Sequence, residues 1–279
     1  MDSGQGVAPN ERSRARSVRD GAAELGPPLK WAGGKRWLLP HLRPLWEPHR
    51  RRRLVEPLCG GLAVTIGLRP ERALLNDISP HACNFYNWLK RDLRITIPMR
   101  NEAGFYYEYR ARFNRLIANG GAESAEAAAL FYYLNRTCYN GLCRFNSRGE
   151  FNVPFGRYQR INYRSDFSGY QAALTGWDFR SGDFAQVALE RDDFVYADPP
   201  YDVEFTRYAV EDFGWDDQER LARLLVVHPG PVVLSNQATD RIVELYRRLG
   251  FELEVLEAPR RISCKERKPA FEVLATRNL

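Results

Sequence analysis

Asp193-Phe194-Val195-Tyr196-Ala197-Asp198-Pro199-Pro200-Tyr201 is the stretch that decides the fold. Phe194 to Ala197 form a short apolar, β-prone run, the pattern of a buried strand. The run ends in an acid, two prolines and an aromatic. Two prolines cannot continue a sheet ladder, so the chain leaves the sheet at Asp198 as a stiff loop. Open α/β sheets bind ligands just outside the carboxyl ends of their strands. An α/β sheet is therefore predicted, with the Asp198 carboxylate, the Pro199 carbonyl and the Tyr201 ring gathered on its functional rim.

Those three groups suit one task. A carboxylate and a neighbouring carbonyl can accept both hydrogens of an exocyclic amine, while a flat ring stacks on the attached base. A proline-terminated strand with a capping Asp and a core Tyr is the plainer use of the same residues. The rest of the chain decides between them.

Two strands with polar tips lie upstream. Residues 53–56 read as a strand that turns at Pro57, and Leu58-Cys59-Gly60-Gly61 as a glycine loop feeding a helix over 62–68. Strand, glycine loop and helix together have the form of a nucleotide cradle. The loop is not Gly-x-Gly-x-x-Gly, which disfavours a pyrophosphate-binding dehydrogenase. The next strand, 73–76, ends at Asp77, where a carboxylate can hold the two hydroxyls of a ribose. Capping a helix is an equal use for that residue. A helix over 80–90 follows, with its proline in the first turn. Before the cradle, Leu29-Lys30-Trp31-Ala32-Gly33-Gly34-Lys35 leads into Trp37, Leu38, Leu39, Leu42 and Leu45 at helical spacing. The glycine pair lets backbone approach a ligand, and Trp31 can cover an aromatic or sulfonium group.

Residues 95–165 break the strand–helix rhythm. Helices are predicted over 102–119 and 122–135. From Asn135 to Tyr158, arginines, asparagines, aromatics and glycines alternate with almost no aliphatic residues. That interleaving suits a loop hairpin that reads bases and phosphates: Arg to guanine, Asn to adenine, aromatics to stack. The rhythm then resumes with strands over 178–184, 193–201, 231–236 and 251–256, and helices over 216–227 and 239–249. Arg260, Arg261, Lys265, Arg267 and Lys268 form a basic loop before a last strand over 271–276.

At 279 residues and 44% hydrophobic, the chain can bury a large core, as one domain with an inserted subdomain. No apolar run approaches the roughly 18 residues of a membrane span. Five cysteines lack paired metal spacing, Cys138 and Cys143 included, and four histidines are scattered. The expectation is a cytoplasmic protein with reduced cysteines and no metal. A net charge of +6 and a pI of about 9.1 favour polyanionic partners, and arginine adds bidentate geometry for phosphates and guanine edges. Residues 1–26, without hydrophobic periodicity, read as a disordered basic arm.

Taken together, residues 29–279 resemble the DNA adenine methyltransferases of the Dam type, in the order of motifs as well as their content. Residues 29–35 and 140–158 make the resemblance specific, the second being close to Dam-type enzymes that modify GATC. It implies a Rossmann-like S-adenosylmethionine (AdoMet) methyltransferase sheet with an antiparallel last strand, built from 27–94 and 166–279. A mainly helical DNA-recognition subdomain with a β-hairpin loop would be inserted at 95–165. The implied activity is methyl transfer from AdoMet to the 6-amino group of a flipped adenine in double-stranded DNA, within GATC. The implied setting is a bacterial or phage-infected cell, as a solitary mark-maker or half of a restriction–modification pair, with no obligate protein partner and a monomeric state.

The resemblance also assigns residues. Asp198, Pro199 and Tyr201 would hold the target adenine beside the methyl group. Trp31, Ala32 and Lys35 would border the methionine and sulfonium end of AdoMet, with Glu56, Pro57, Leu58 and Gly60 as the floor and Asp198 alongside. Asp77 with Ile78 would bind the ribose, and Asp183 with Phe184 would face the donor's adenine. Tyr139 and Asn140 would fill the gap left by the flipped base. Leu142, Arg144 and Tyr158 would read the target, Asn146 and Arg157 would contact DNA beside them, and Lys30 would touch the first base pair. Leu58 and Cys59 depart from the aromatic and small aliphatic residues common in the cradle. The loop at 260–269 looks shorter than in Dam.

Rival chemistries make different demands. Methylation at carbon 5 of cytosine needs a nucleophilic Cys, usually after Pro, and the chain has no Pro-Cys pair. Cytosine 4-amino, RNA adenine and protein-amide methylation share the Pro-Pro-Tyr logic, and the 135–158 hairpin argues for duplex DNA over them. A catalytically idle DNA-binding regulator is opposed by the intact Asp198-to-Tyr201 motif and cradle.

Overall fold

Leu54, Val55 and the run Phe194 to Ala197 are buried on both faces because they form the central strands of a sheet. The structure, a computed structural model, describes residues 25–202, 213–259 and 270–279. Within these, β1 is Leu54–Glu56, β2 Ala73–Asp77, β3 Trp177–Ser181, β4 Phe194–Ala197, β5 Val232–Gln237, β6 Glu252–Ala258 and β7 Ala270–Arg277. They form one seven-stranded sheet in the order β3-β2-β1-β4-β5-β7-β6. Strands β1 to β5 are parallel, with Leu54 opposite both Ala73 and Phe194. β7 runs antiparallel to both β5 and β6. This is the Rossmann-like sheet with an antiparallel last strand that the resemblance implies.

The chain steps outward from β1 through β2 to β3, then returns to the centre at β4 and steps the other way. The order thus reverses between β1 and β4, and the crevice at their carboxyl ends is where such sheets take ligands. Glu56-Pro57 and Asp198-Pro199 flank it. Because β7 is reversed, its first residues reach the same rim, with Glu272 opposite Gln237 at the end of β5.

Helices cover both faces: α1 Leu39–Trp46, α2 Ala63–Leu68, α3 Pro80–Lys90, α4 Ala103–Ala118, α5 Ala125–Thr137, α6 Ser168–Ala173, α7 Trp215–Val226 and α8 Asp240–Arg248. The Ser79 hydroxyl caps α3 by accepting from the Ala82 amide, and Thr239 does the same for α8 at Ile242. One face of the sheet packs Val55, Val195, Leu221, Leu234, Leu245 and Val273. The other packs Leu54, Phe85, Tyr86 and Trp177 together with Phe113, Leu130 and Tyr132 from the 95–165 region. Phe85 and Tyr132 stack with ring planes 3° apart and centroids 5.4 Å apart, so α5 is welded to α3 by a continuous apolar core. Such a ring pair adds about 0.5–1.5 kcal/mol beyond the area it buries. No helix among the described residues is long and apolar enough to cross a membrane.

Three local features differ from the sequence expectation. The second inserted helix begins at Ala125 rather than 122, because the Ser124 hydroxyl accepts from the Ala127 amide and fixes the start there. A short helix, α6, precedes β3. The hairpin at 138–158 is held by two isolated antiparallel bridges, Cys138 to Phe155 and Phe145 to Phe151, and not by a continuous ladder. Its turns are made by side chains instead: Asn146 Oδ1 accepts from the amides of Arg148 and Glu150, and Asn140 and Gly141 sit at positive φ. Most of the basic arm at 1–26, up to residue 24, and the basic loop at 260–268 lie outside the described residues.

Candidate active site

At the crevice between β1 and β4, five polar side chains converge from four parts of the chain. Lys35 enters from the turn before α1, where Gly33 takes a φ of +76°, open to glycine at no steric cost. Only 3% exposed, its Nζ lies 3.0 Å from Asp198 Oδ1 and 3.4 Å from Glu272 Oε1. It also donates to the Tyr201 hydroxyl at 3.0 Å. The Tyr201 hydroxyl in turn donates to Glu272 Oε1. Ser235, inside β5, donates to Asp198 Oδ1 at 2.8 Å and shares a hydrogen bond with the Tyr196 hydroxyl.

Burial would strip a lysine of its proton, but the Asp198 and Glu272 carboxylates and the Tyr201 hydroxyl outweigh it. The Lys35 ammonium is held above its ordinary range. Asp198 is pushed up by burial, pulled back by Lys35 and Ser235, and settles at about 6. It is therefore a carboxylate at neutral pH, with its side chain 21% exposed at the rim. Glu56, fully enclosed at the end of β1, is pushed up by burial to about 8, with the Thr65 hydroxyl opposing and Asp198 adding to the rise. Neighbouring carboxyl groups in one crevice thus carry different protonation states at pH 7. The Pro200 carbonyl accepts from Gln218 Nε2 at 2.7 Å, whereas no described residue donates to the Pro199 carbonyl.

The cradle lies beside this cluster. Asp77, at the tip of β2, accepts from the Gly60 amide through Oδ2 and from the Ser79 amide through Oδ1, each at 2.9 Å. Burial raises its pKa while those two amides oppose the rise. Two of roughly four acceptor sites on that carboxylate are used, so two hydroxyls can still be received. Gly60 has a φ of +47°, and a Cβ there would fall 2.7 Å from the Trp31 indole nitrogen. Trp31 therefore lies directly over the glycine loop, with Ala32 exposed beside it. Pro57 is buried, Leu58 is half-buried and Ile78 is 58% exposed at the rim. Asp183 caps a short turn at Ala185 and pairs with Arg220 at 2.6 Å. Phe184 is buried, with the Arg220 guanidinium 4.3 Å from its ring centre, so one ring face is already taken.

The residues named from sequence as DNA contacts lie apart from this site, Lys30, Tyr139, Asn140, Leu142 and Tyr158 around the end of α5 and Arg144 and Asn146 further along the hairpin. Lys30 Nζ donates to the Arg136 carbonyl and sits 3.9 Å from the Tyr158 ring centre. The Tyr158 hydroxyl donates to the Cys138 carbonyl. Tyr139 is 52% exposed and Asn140, at φ 54°, is exposed beside it. Leu142 packs against the core. Arg144 Nε donates to Asn152 Oδ1 at 2.8 Å, Asn146 Nδ2 donates to Glu150, and Arg157 is exposed. Lys30 and Lys35 bracket one short segment, so the two clusters are linked by the four residues between them.

Four residues that hold these sites together escaped the sequence reading. Asn76 Nδ2 donates to the carbonyls of Pro57 and Gly182, joining the loops after β1 and β3. Asn135, fully buried, accepts from the Lys30 amide and donates back to the Lys30 carbonyl. Ser235 and Glu272 complete the Asp198 cluster. Glu272 leaves the signal of a lone acid inside an apolar run, whereas Asn76, Asn135 and Ser235 are each the first polar residue at the end of one.

The family of D12 class N6 adenine-specific DNA methyltransferases matches residues 31–262. The DNA N-6-adenine-methyltransferase of Escherichia phage P1 is 35% identical over 272 residues, covering 91% of this chain but only 35% of the phage protein. The DNA adenine methylase of Escherichia coli strain K12 is 35% identical over 271 residues, covering 88% of this chain and 93% of that protein. The Type II methyltransferase M.MjaIII of Methanocaldococcus jannaschii is 32% identical over 276 residues, covering 87% and 94%. Lys35, Asp198, Tyr201 and the glycine cradle sit inside the matched residues, and the chain belongs to the D12 class of N6 adenine-specific DNA methyltransferases.

Proposed function

We propose that this chain transfers a methyl group from AdoMet to the 6-amino group of an adenine flipped out of duplex DNA, within GATC. The observation that carries the reading is the presence, at the switch-point rim, of an ionised Asp198 followed directly by the Pro199 carbonyl, to which no described residue donates. Two such acceptors, side by side, fit the two hydrogens of an exocyclic amine. The crevice also fits the donor: Asp77 has spare acceptor capacity for ribose hydroxyls, the glycine loop can admit no larger side chain beneath Trp31, and carboxyl groups surround the place for a cation. AdoMet, when bound, supplies an electrophilic methyl group on a sulfonium.

The adenine amino nitrogen is a poor nucleophile because its lone pair is delocalised into the ring. Hydrogen bonds to Asp198 and Pro199 localise that lone pair and stabilise the positive charge developing on nitrogen. With the donor bound, methyl transfer would leave a surplus proton on that nitrogen, and Asp198 is the carboxylate that would take it. Tyr201, anchored by its hydroxyl, stacks on the base and keeps it in line. Trp31, Ala32, Lys35, Glu56, Pro57, Leu58, Gly60, Asp77 and Ile78 border the donor, with Asp183 and Phe184 at its far end. Extruding the base costs a few kcal/mol, offset by stacking on Tyr201 and by Tyr139 and Asn140 entering the vacated space.

The GATC assignment rests on the likeness of residues 140–158 to Dam-type enzymes. Arg144, whose Nε donates to Asn152, would offer its terminal nitrogens to a guanine edge. Lys30, Leu142, Asn146, Arg157 and Tyr158 complete the reading surface. Asp198→Ala tests the proposal: methyl transfer to adenine is abolished while AdoMet binding stays measurable by calorimetry. Full turnover by that variant would end the assignment.

A further inference from the structure

Strand β7 carries one acid in the otherwise apolar run Phe271 to Ala275. Alternation leaves Phe271 47% exposed and turns Glu272 inward, at 4% exposure. A carboxylate so enclosed is destabilising unless it is paired and hydrogen-bonded. Its Oε1 has both kinds of partner: the Tyr201 hydroxyl donates to it, and Lys35 Nζ lies 3.4 Å away. Its Oε2 is buried without a partner among the described residues. The carboxylate is thus committed through one oxygen to two groups that both touch the Asp198 site.

We propose that Glu272 is a positioning residue for methyl transfer, holding the Tyr201 ring and the Lys35 ammonium in place against Asp198. This inference rests on Asp198 being the residue that receives the adenine amino group. Tyr201 is pinned at its hydroxyl between a donor, Lys35, and an acceptor, Glu272. Removing the acceptor frees the hydroxyl to turn and the ring to tilt away from a stacked base. The negative charge of Glu272 also shares Lys35 with Asp198. Two carboxylates on one ammonium leave Asp198 more basic than it would be as the sole partner, which suits an acceptor for the amino group and its proton. The groups facing Asp198 are Lys35 before α1, Glu56 on β1, Tyr196 on β4, Tyr201 after it, Ser235 on β5, Tyr246 on α8 and Glu272 on β7. Of the carboxyl groups among them, Glu272 alone contacts Lys35 and Tyr201.

The test uses the full chain with AdoMet and a GATC duplex, comparing Glu272→Gln, Glu272→Asp and the parent. Gln keeps an acceptor for the Tyr201 hydroxyl but removes the charge. Its kcat falls roughly tenfold, with KM for DNA and Kd for AdoMet within about twofold. The acid limb of its kcat–pH profile moves to lower pH, because Lys35 then serves Asp198 alone. Asp keeps the charge but withdraws it from Tyr201, so kcat falls while the acid limb stays. Parent-like kcat and acid limb in both variants overturn the inference. So does a loss of activity that merely follows a fall in Tm or in AdoMet affinity with the limb unmoved in both. If Glu272→Gln does not fold, Glu272→Asp decides: reduced kcat at unchanged KM supports positioning, and parent-like kcat refutes it. Asp198→Ala run alongside separates the two readings. Transfer surviving in that variant removes the site itself, whereas an inactive Asp198→Ala beside a parent-like Glu272→Gln removes only the role of Glu272.

Discussion

Replacing Lys35 with methionine removes the ammonium but keeps the length and apolar stem of the side chain. Lys35 Nζ sits 3.0 Å from Asp198 Oδ1, a separation at which two unit charges attract by about 5 kcal/mol at an effective dielectric of about 20. The Asp198 side chain is 21% exposed, so water takes up much of the loss when the lysine goes. Retaining about a third leaves about 2 kcal/mol, or about 1.5 pH units. The direction follows from which form works. Asp198 acts as a carboxylate with a pKa of about 6, so activity falls as pH drops through that value. Lys35 lowers that pKa, and its removal raises it, so the acid limb moves upward, past pH 7. The assay is single-turnover methyl transfer from AdoMet to a GATC duplex across pH 5 to 9. Lys35→Met recovers part of its lost rate at high pH, where Asp198 is again ionised. A variant whose acid limb stays near pH 6 would refute the reasoning, since Lys35 would then not be setting the charge on Asp198.

Two further outcomes follow from the same geometry. Arg144→Ala relaxes the sequence preference by about 1–3 kcal/mol, read as kcat/KM on GATC against single-base variants, and an unchanged ratio removes Arg144 from the reading surface. Gly60→Ala places a Cβ 2.7 Å from the Trp31 indole nitrogen at a φ of +47°. The added Cβ must push Trp31 away from the glycine loop, so AdoMet Kd by calorimetry weakens about tenfold, and parent-like affinity would detach the cradle from the donor.

The central architecture is legible because it depends on local pattern. The apolar run at 194–197 followed by Asp-Pro-Pro has few alternatives to a buried strand that stops, and 53–61 has few alternatives to strand, turn and glycine loop. What stays hidden depends on partners far apart in sequence. Nothing near Asn135 says that its amide clasps the Lys30 backbone, 105 positions away. Nothing near Phe184 says that Arg220 will lie on its ring. Glu272 escaped notice because its partners, Lys35 and Tyr201, lie far from it in sequence, even though an antiparallel last strand is expected. An acid at the start of a parallel strand would sit at the opposite end of the sheet, and only the reversal of β7 brings it to Lys35 and Tyr201. The hairpin at 138–158 is legible as a loop with turn residues, but its backbone satisfies itself through Asn146 and Asn114 side chains. Periodicity does not register such bonds.

The most direct test of the account is transfer of a tritiated methyl group from AdoMet to two duplexes that differ only in carrying GATC or a scrambled site. The products are hydrolysed and the labelled nucleoside identified. The account predicts label in 6-methyladenine, confined to the GATC duplex. Label in adenine at another site would contradict the sequence reading of residues 140–158, and no label in adenine on any duplex, with AdoMet bound, would contradict the role given to Asp198, Pro199 and Tyr201.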